Sequence, residues 1–277
     1  VTVLGAGRDP SMLGGVVLSL DEMQYLLEKL QFDELPIVLQ AMGRYDNETD
    51  HNASMDVAAR SLADRDLLVD GVVHRDVEDR LRTLYRPHWE LALRLVVDGQ
   101  VSRLCLAKGD DLVVVALRGA ESYVIDEVDE DLPGPIVAAL GPAEALELES
   151  MNAQTELLAP IFGDAGDAAA TANRLAQVCT PNRDAQKLAS ALVDIQSHAQ
   201  ISAIVHGDGT RDIAENHIAL FNTRGGRIIL TSSVADDGIK WSSISSGTQA
   251  RLRTAIQDLI NSLPEREEFP TIITEPS

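Results

Sequence analysis

The stretch that decides the fold runs from Ile218 to Leu263. It reads Ile218-Ala219-Leu220-Phe221-Asn222, Thr223-Arg224-Gly225-Gly226, Arg227-Ile228-Ile229-Leu230-Thr231-Ser232-Ser233, Asp236-Asp237-Gly238, Ile239-Lys240-Trp241-Ser242-Ser243-Ile244 and Gly247-Thr248, then a helical pattern that stops at Leu263 before Pro264. Short runs rich in β-branched residues, parted by Gly- and Asp-containing turns, predict antiparallel strands at 217–222, 227–233 and 239–244. Thr248 is a natural N-cap. Leu252, Ala255, Ile256, Leu259 and Leu263 then recur on one side of a helix.

Ile201 to His206, turned by Gly207-Asp208-Gly209, adds a strand in front of this meander. Trp89 to Leu140 repeats the plan. Trp89, Leu91, Leu93, Leu95 and Val97 alternate with Glu90, Ala92, Arg94 and Val96, the period of a strand with two different faces. Asp98-Gly99 is a hairpin turn, and strands follow at 101–107, 112–117 and 122–128, with a short helix around Ile136 to Leu140. Helical text precedes each set of strands. In the first half, Ser19 and Glu22 form a capping box with Leu18 and Met23 as its hydrophobic staple. A short helix is expected from Ala58 to Asp70, and another over Val77, Leu81, Leu84 and Tyr85, while the polar segment from Asp46 to Asp56 reads as an exposed loop. In the second half, Leu157 and Leu158 are helical, Asp167 caps a helix running to Val178, and Thr180-Pro181 opens one that carries Leu188, Ala191, Leu192 and Ile195. The fold class is therefore α+β. A central antiparallel sheet is built from two pseudo-repeated helix/four-strand/helix halves, about 17–141 and 142–264, with a helical bundle in the second half. Residues 1–264 read as one domain, with a flexible lead-in to Gly15 and a loose acidic tail at 265–277.

A net charge of −21 disfavours nucleic acid and anionic membranes, since phosphate binding needs clustered Lys and Arg. No apolar run approaches the ~20 residues of a membrane span. Cys105 and Cys179 are far apart, form no CxxC and read as packed residues, so a reducing, cytoplasmic setting is expected.

Chemistry is hard to find. No GxSxG, HExxH or P-loop is present, and Gly5-Ala6-Gly7 lacks the third glycine of a dinucleotide loop. His51 sits in a polar segment. The acidic run Asp126, Glu127, Asp129, Glu130 and Asp131 lacks calcium-loop spacing and reads as a solvated turn. His206 and His217 would face each other across a hairpin, but no third metal ligand accompanies them. Arg224 and Arg227 flank Gly225-Gly226 and read as solvated, and Trp89 and Trp241 as sheet-packing anchors. No catalytic residue, metal or cofactor is predicted. An enzyme or a ligand-binding dimer module stays open as the alternative.

The sequence resembles the EspG family, cytosolic chaperones of mycobacterial type VII (ESX) secretion that bind PE-PPE pairs. The residues that carry this are Val17-Leu18-Ser19-Leu20-Asp21-Glu22-Met23, Ser61-Leu62-Ala63-Asp64-Arg65-Asp66-Leu67, Gly226-Arg227-Ile228-Ile229-Leu230, Gly238-Ile239-Lys240-Trp241 and Leu263-Pro264. Asp66 stands where the family pattern often has glycine. The resemblance implies a protein that holds the PPE partner of a PE-PPE heterodimer by its helical tip, with a homodimer possible when free. It also implies contacts on the sheet, on a loop between early strands and on second-half helices. Here those positions are Lys108, Asp110 and Asp111, the helices near Thr171 to Val178 and Asp184 to His198, and the strand-end groups Glu215, Thr231, Ser232 and Ser233.

Overall fold

A computed structural model of the chain describes residues 11–41, 45–207 and 209–264; Gly5-Ala6-Gly7, Asp208 and the acidic tail lie outside the described residues. The first half runs β1 (Val16–Ser19), α1 (Leu20–Leu30), a 3-10 turn (Ile37–Leu39), α2 (Glu48–Asp64), β2 (Leu68–Val69), β3 (Val72–Val73), α3 (Arg75–Tyr85), β4 (Trp89–Val97), β5 (Gln100–Lys108), β6 (Val113–Arg118), β7 (Ser122–Glu127) and α4 (Gly134–Leu140). The second runs β8 (Met151–Gln154), α5 (Thr155–Gly163), α6 (Ala168–Val178), α7 (Ala185–Leu192), β9 (Ile195–His206), β10 (Arg211–Thr223), β11 (Gly226–Val234), β12 (Lys240–Ser246) and α8 (Gln249–Asn261).

Ten strands form one antiparallel sheet in the order β1-β7-β6-β5-β4-β9-β10-β11-β12-β8. Read from either edge the order has the same logic: a short leading strand, then its half's meander in reverse, meeting at the β4–β9 pair. Each half thus opens with an edge strand that the sequence reading did not anticipate. The edges are closed to further pairing. Arg65 Nη2 donates to the Val17 carbonyl at 2.6 Å and Ser19 N donates to Glu22 Oε2 at 2.7 Å along β1, while Asn152 on β8 exchanges backbone hydrogen bonds with Thr180.

Strand alternation sends side chains to two faces. Leu91, Leu93, Leu104, Leu106, Ile201, Ile218, Leu220 and Ile229 leave one face and are covered by α4 and α8 through Ile136, Leu252, Ile256 and Leu259. The opposite face is covered only toward its two ends. Val16, Leu18, Cys105, Val114, Ala116 and Tyr123 pack beneath α1, α2, α3 and the 3-10 turn, and Met151, Ala153, Ile228 and Ile244 pack beneath α5, α6 and α7.

The capping box at α1 is present as expected, with Glu22 N donating to Ser19 Oγ at 3.1 Å. Asp98 and Gly99 have φ of 50° and 77°, the left-handed pair that a two-residue hairpin requires. Asp66 has φ of 56°, a value that glycine adopts freely and aspartate tolerates, which accounts for its occupying a glycine position.

Several expectations are corrected. The segment from Asp46 to Asp56 is mostly helix: Asn47 accepts from Asp50 N at 2.9 Å and starts α2, whose outer side is polar because it faces water. That helix ends at Asp64, and the residues before Asp70 turn into the β2–β3 hairpin. Thr180-Pro181 does not open a helix, because the Thr180 backbone is engaged by Asn152; α7 begins at Ala185 and ends at Leu192, so Ile195 to His198 belong to β9. The lead-in is anchored from Ser11 onward. Asp76 accepts from Ser11 Oγ, Met12 N and Leu13 N at 2.9, 2.8 and 3.2 Å. Arg80, 1% exposed, donates to the carbonyls of Gly14 and Leu13 and to Glu127 Oε1, so Glu127 is no solvated turn residue.

Candidate protein-binding surface

The β5–β6 turn is rigid because His88, buried at the entry to β4, holds it twice. Its N–H donates to the Lys108 carbonyl at 2.6 Å and its Nε2 lies 2.6 Å from Asp110 Oδ1. Lys108 Nζ folds onto the Asp110 carbonyl at 3.3 Å, while Asp111 is exposed. Gly109 packs closely on α3, where a Cβ would lie 3.1 Å from Thr83 Cγ2 and press on that side chain.

Glu215 is exposed in the irregular part of β10 between Ile213 and His217, where the register with β9 shifts. On β11, Thr231 and Ser233 pair with Ser243 and Trp241 and leave the α4/α8 face, whereas Ser232 points to the other face. Ser232 is buried. Its Oγ accepts from His217 N at 2.9 Å and lies 2.7 Å from His217 Nδ1. Antiparallel order brings Lys108, Asp110, Asp111, Glu215 and the end of β11 to the same end of the sheet, but divides Thr231 and Ser233 from Ser232 by face.

The other candidates disperse. His206 pairs with Arg211 and His217 with Ser202, so the two histidines do not face each other; His206 Nε2 is instead 3.6 Å from buried Glu90. His51 lies on α2, 3.1 Å from Glu28. Among the described residues no group of three or more His, Cys, Asp or Glu is placed to hold a metal ion. Burial raises the Cys105 thiol well above its ordinary pKa, with neighbouring Glu90 adding to the effect, and pushes Cys179 up to about 11, so both favour the unreactive thiol. Trp89 is buried as expected, but Trp241 is 38% exposed on β12 and does not anchor the sheet.

Arg224 pairs with Asp194 at 2.9 Å, and Arg227 is buried. Its Nε donates to Asn222 Oδ1 and its Nη2 to the carbonyls of Leu140 and Gly141, while its backbone engages Glu144, Leu146 and Gly247. Burial lowers its pKa from the ordinary value. Arg227 therefore straps the connection between the halves onto β11. A Cβ on Gly226 would lie 2.4 Å from Leu146 N, which explains the Gly226-Arg227 pair.

Between the two helical groups the sheet face is open. Arg94, His198 and Gln200 are exposed there and Val96, Ser202 and Ala219 are half-buried, with Phe162 of α5 against Phe221 at 5.3 Å on one border. This strip was invisible until strand register was known.

The sequence model of the EspG family matches residues 19–258. The chain belongs to the EspG family. It is 25% identical over 275 residues to the ESX-3 secretion-associated protein EspG3 of Mycobacterium tuberculosis (strain CDC 1551 / Oshkosh), covering 92% of this chain and 93% of that one. The fold of this EspG-family chain is similar to that of the M. tuberculosis type VII secretion system chaperone EspG5, solved in complex with a PE25-PPE41 dimer. The TM-score is 0.73 at 17% identity, over 92% of this chain and 98% of EspG5. Among the described residues no helix is long and apolar enough to cross a membrane.

Proposed function

We propose that the protein is a cytoplasmic secretion chaperone that binds the PPE partner of a PE-PPE heterodimer, keeps it soluble and directs it to its own type VII secretion system. The observation that carries this reading is membership of the EspG family over 19–258, joined to a whole-chain fold shared with a chaperone solved on a PE-PPE dimer. The physical task suits the architecture. An aggregation-prone helical tip needs a rigid acceptor, and a ten-stranded sheet with an open strip offers one. The charge of −21 favours solubility of the complex and leaves nucleic acid and membrane out of the partner set. We also read residues 1–264 as one domain of two halves, since both contribute to one sheet. Any homodimer of the free chain would use a face, because both sheet edges are covered.

The partner tip is taken to rest on the open strip, with the β5–β6 turn and the neighbouring strand ends at the rim. Lys108, Asp111 and Glu215 are the rim candidates, with Asp110 and Ser232 holding that end of the sheet through His88 and His217; Thr231 and Ser233, on the α4/α8 face, lie on the other side of the sheet from the strip. Co-expression with PE-PPE pairs, including PE25-PPE41, tests the function: one pair should be recovered soluble with the chain. K108E and D111K should each lower that recovery. Recovery unchanged by both would remove the turn from the contact and leave the chaperone reading standing, whereas failure to recover any pair would remove the reading itself.

A further inference from the structure

Three arginines stand in one row that runs from the open strip toward the first helical group, Arg94 exposed and Arg103 and Arg118 half-buried. Arg94 of β4 pairs with Arg103 of β5, and Arg103 pairs with Arg118 of β6. Strands lie about 4.8 Å apart, so three cationic side chains leave adjacent backbone positions on the same side. Like charges directly opposite each other destabilise a strand pair. The chain has 44 acidic residues, yet among the described residues none of these arginines lies within salt-bridge distance of a carboxylate. Arg103 donates to the Val101 carbonyl and Arg118 to the carbonyls of Gly119 and Ala120, while the Arg118 guanidinium lies 5.0 Å from the Tyr123 ring centre. Arg118 Nε is buried with no acceptor. Gln200 continues the row on β9, and beyond it Ala219 and Leu230 return to apolar character.

We propose that Arg94, Arg103 and Arg118 form a recognition ladder for an acidic helical segment of the partner protein, carboxylates one turn apart each engaging a successive guanidinium. The chemistry fits the spacing: residues three or four apart on a helix sit about 5–6 Å from one another, close to the strand spacing. Carboxylates accept two hydrogen bonds from a guanidinium fork, which gives orientation as well as attraction. In a molecule with net charge −21 a local cationic row repels basic tips and gains no ion pair from neutral ones, so it sorts partners. The identity of the occupant rests on the chaperone reading. The chain's own acidic tail is the competing occupant, but α8, which leads into it, covers the opposite face.

The test uses the full chain and two fluorescent helical peptides, one with three glutamates a turn apart and one with glutamines at those places, followed by anisotropy. At low salt the glutamate peptide should bind at least about tenfold more tightly. The triple variant R94Q/R103Q/R118Q should abolish that preference while keeping the far-UV circular dichroism spectrum of the folded chain. Equal binding of the two peptides, or a preference that survives in the variant, would overturn the ladder. Neutralising the tail in the full chain (E265Q/E267Q/E268Q/E275Q) should leave peptide binding unchanged; a tenfold gain would assign the ladder to the tail instead. If the peptide preference holds while no PE-PPE pair is recovered, the chaperone reading fails alone. A recovered pair that is indifferent to the triple variant sinks the ladder alone.

Discussion

Asp76 and Arg80, one helical turn apart on α3, hold residues 11–14 against the sheet. Burial raises the Asp76 pKa, but hydrogen bonds from Ser11, Met12 and Leu13, with His74 nearby, outweigh it and set the folded value below 3.8. A carboxyl with a depressed folded pKa stabilises fully above its unfolded value and loses that contribution as pH falls through the folded one. D76N should therefore cost about 1–3 kcal/mol in urea unfolding at neutral pH, as charged hydrogen bonds do. The gap to wild type should close below about pH 4; a gap independent of pH would refute the assignment. Cys105 and Cys179, 0% and 4% exposed, should resist iodoacetamide in the native state and react only on unfolding. Their packing was legible from alternation and isolation. The roles of Asp76, Arg80 and Arg227 were not, because a charged residue on a polar-looking helix or turn gives no local sign of the distant carbonyl it will meet.

At the scale of elements, the meanders were readable because each strand carries several alternations and a turn of known type. The edge strands β1 and β8 were not: four residues hold two alternations, and their partners are more than eighty residues away. The start of α2 was hidden by its polar outer face. Cap chemistry was readable and can be measured. S19A should cost about 1 kcal/mol, the ordinary value of an N-cap. E22A should cost more, since Glu22 also accepts from Ser61 Oγ at 2.7 Å and pairs with Arg65 at 3.1 Å. G226A places a Cβ against the Leu146 backbone with φ at 129°, and should destabilise by more than about 2 kcal/mol. Chemical denaturation of the three variants should show the smallest cost for S19A and larger costs for both E22A and G226A; equal losses for S19A and E22A would contradict the shared role of Glu22.

For the whole molecule, the alternation of Arg94 and Arg103 with buried Leu93 and Leu104, and of Arg118 with half-buried Leu117, shows why the proposed binding face was illegible: a row across strands exists only once register is fixed, and register depends on turns distributed along the chain. Family resemblance supplied the chaperone role, and the open strip is the place proposed for it. The most direct measurement is size-exclusion chromatography with light scattering on the chain co-expressed with individual PE-PPE pairs. The account predicts one stable complex containing one copy each of the chain, a PE protein and a PPE protein, formed with one pair and not with the others. Elution of the chain apart from every pair tested would contradict it.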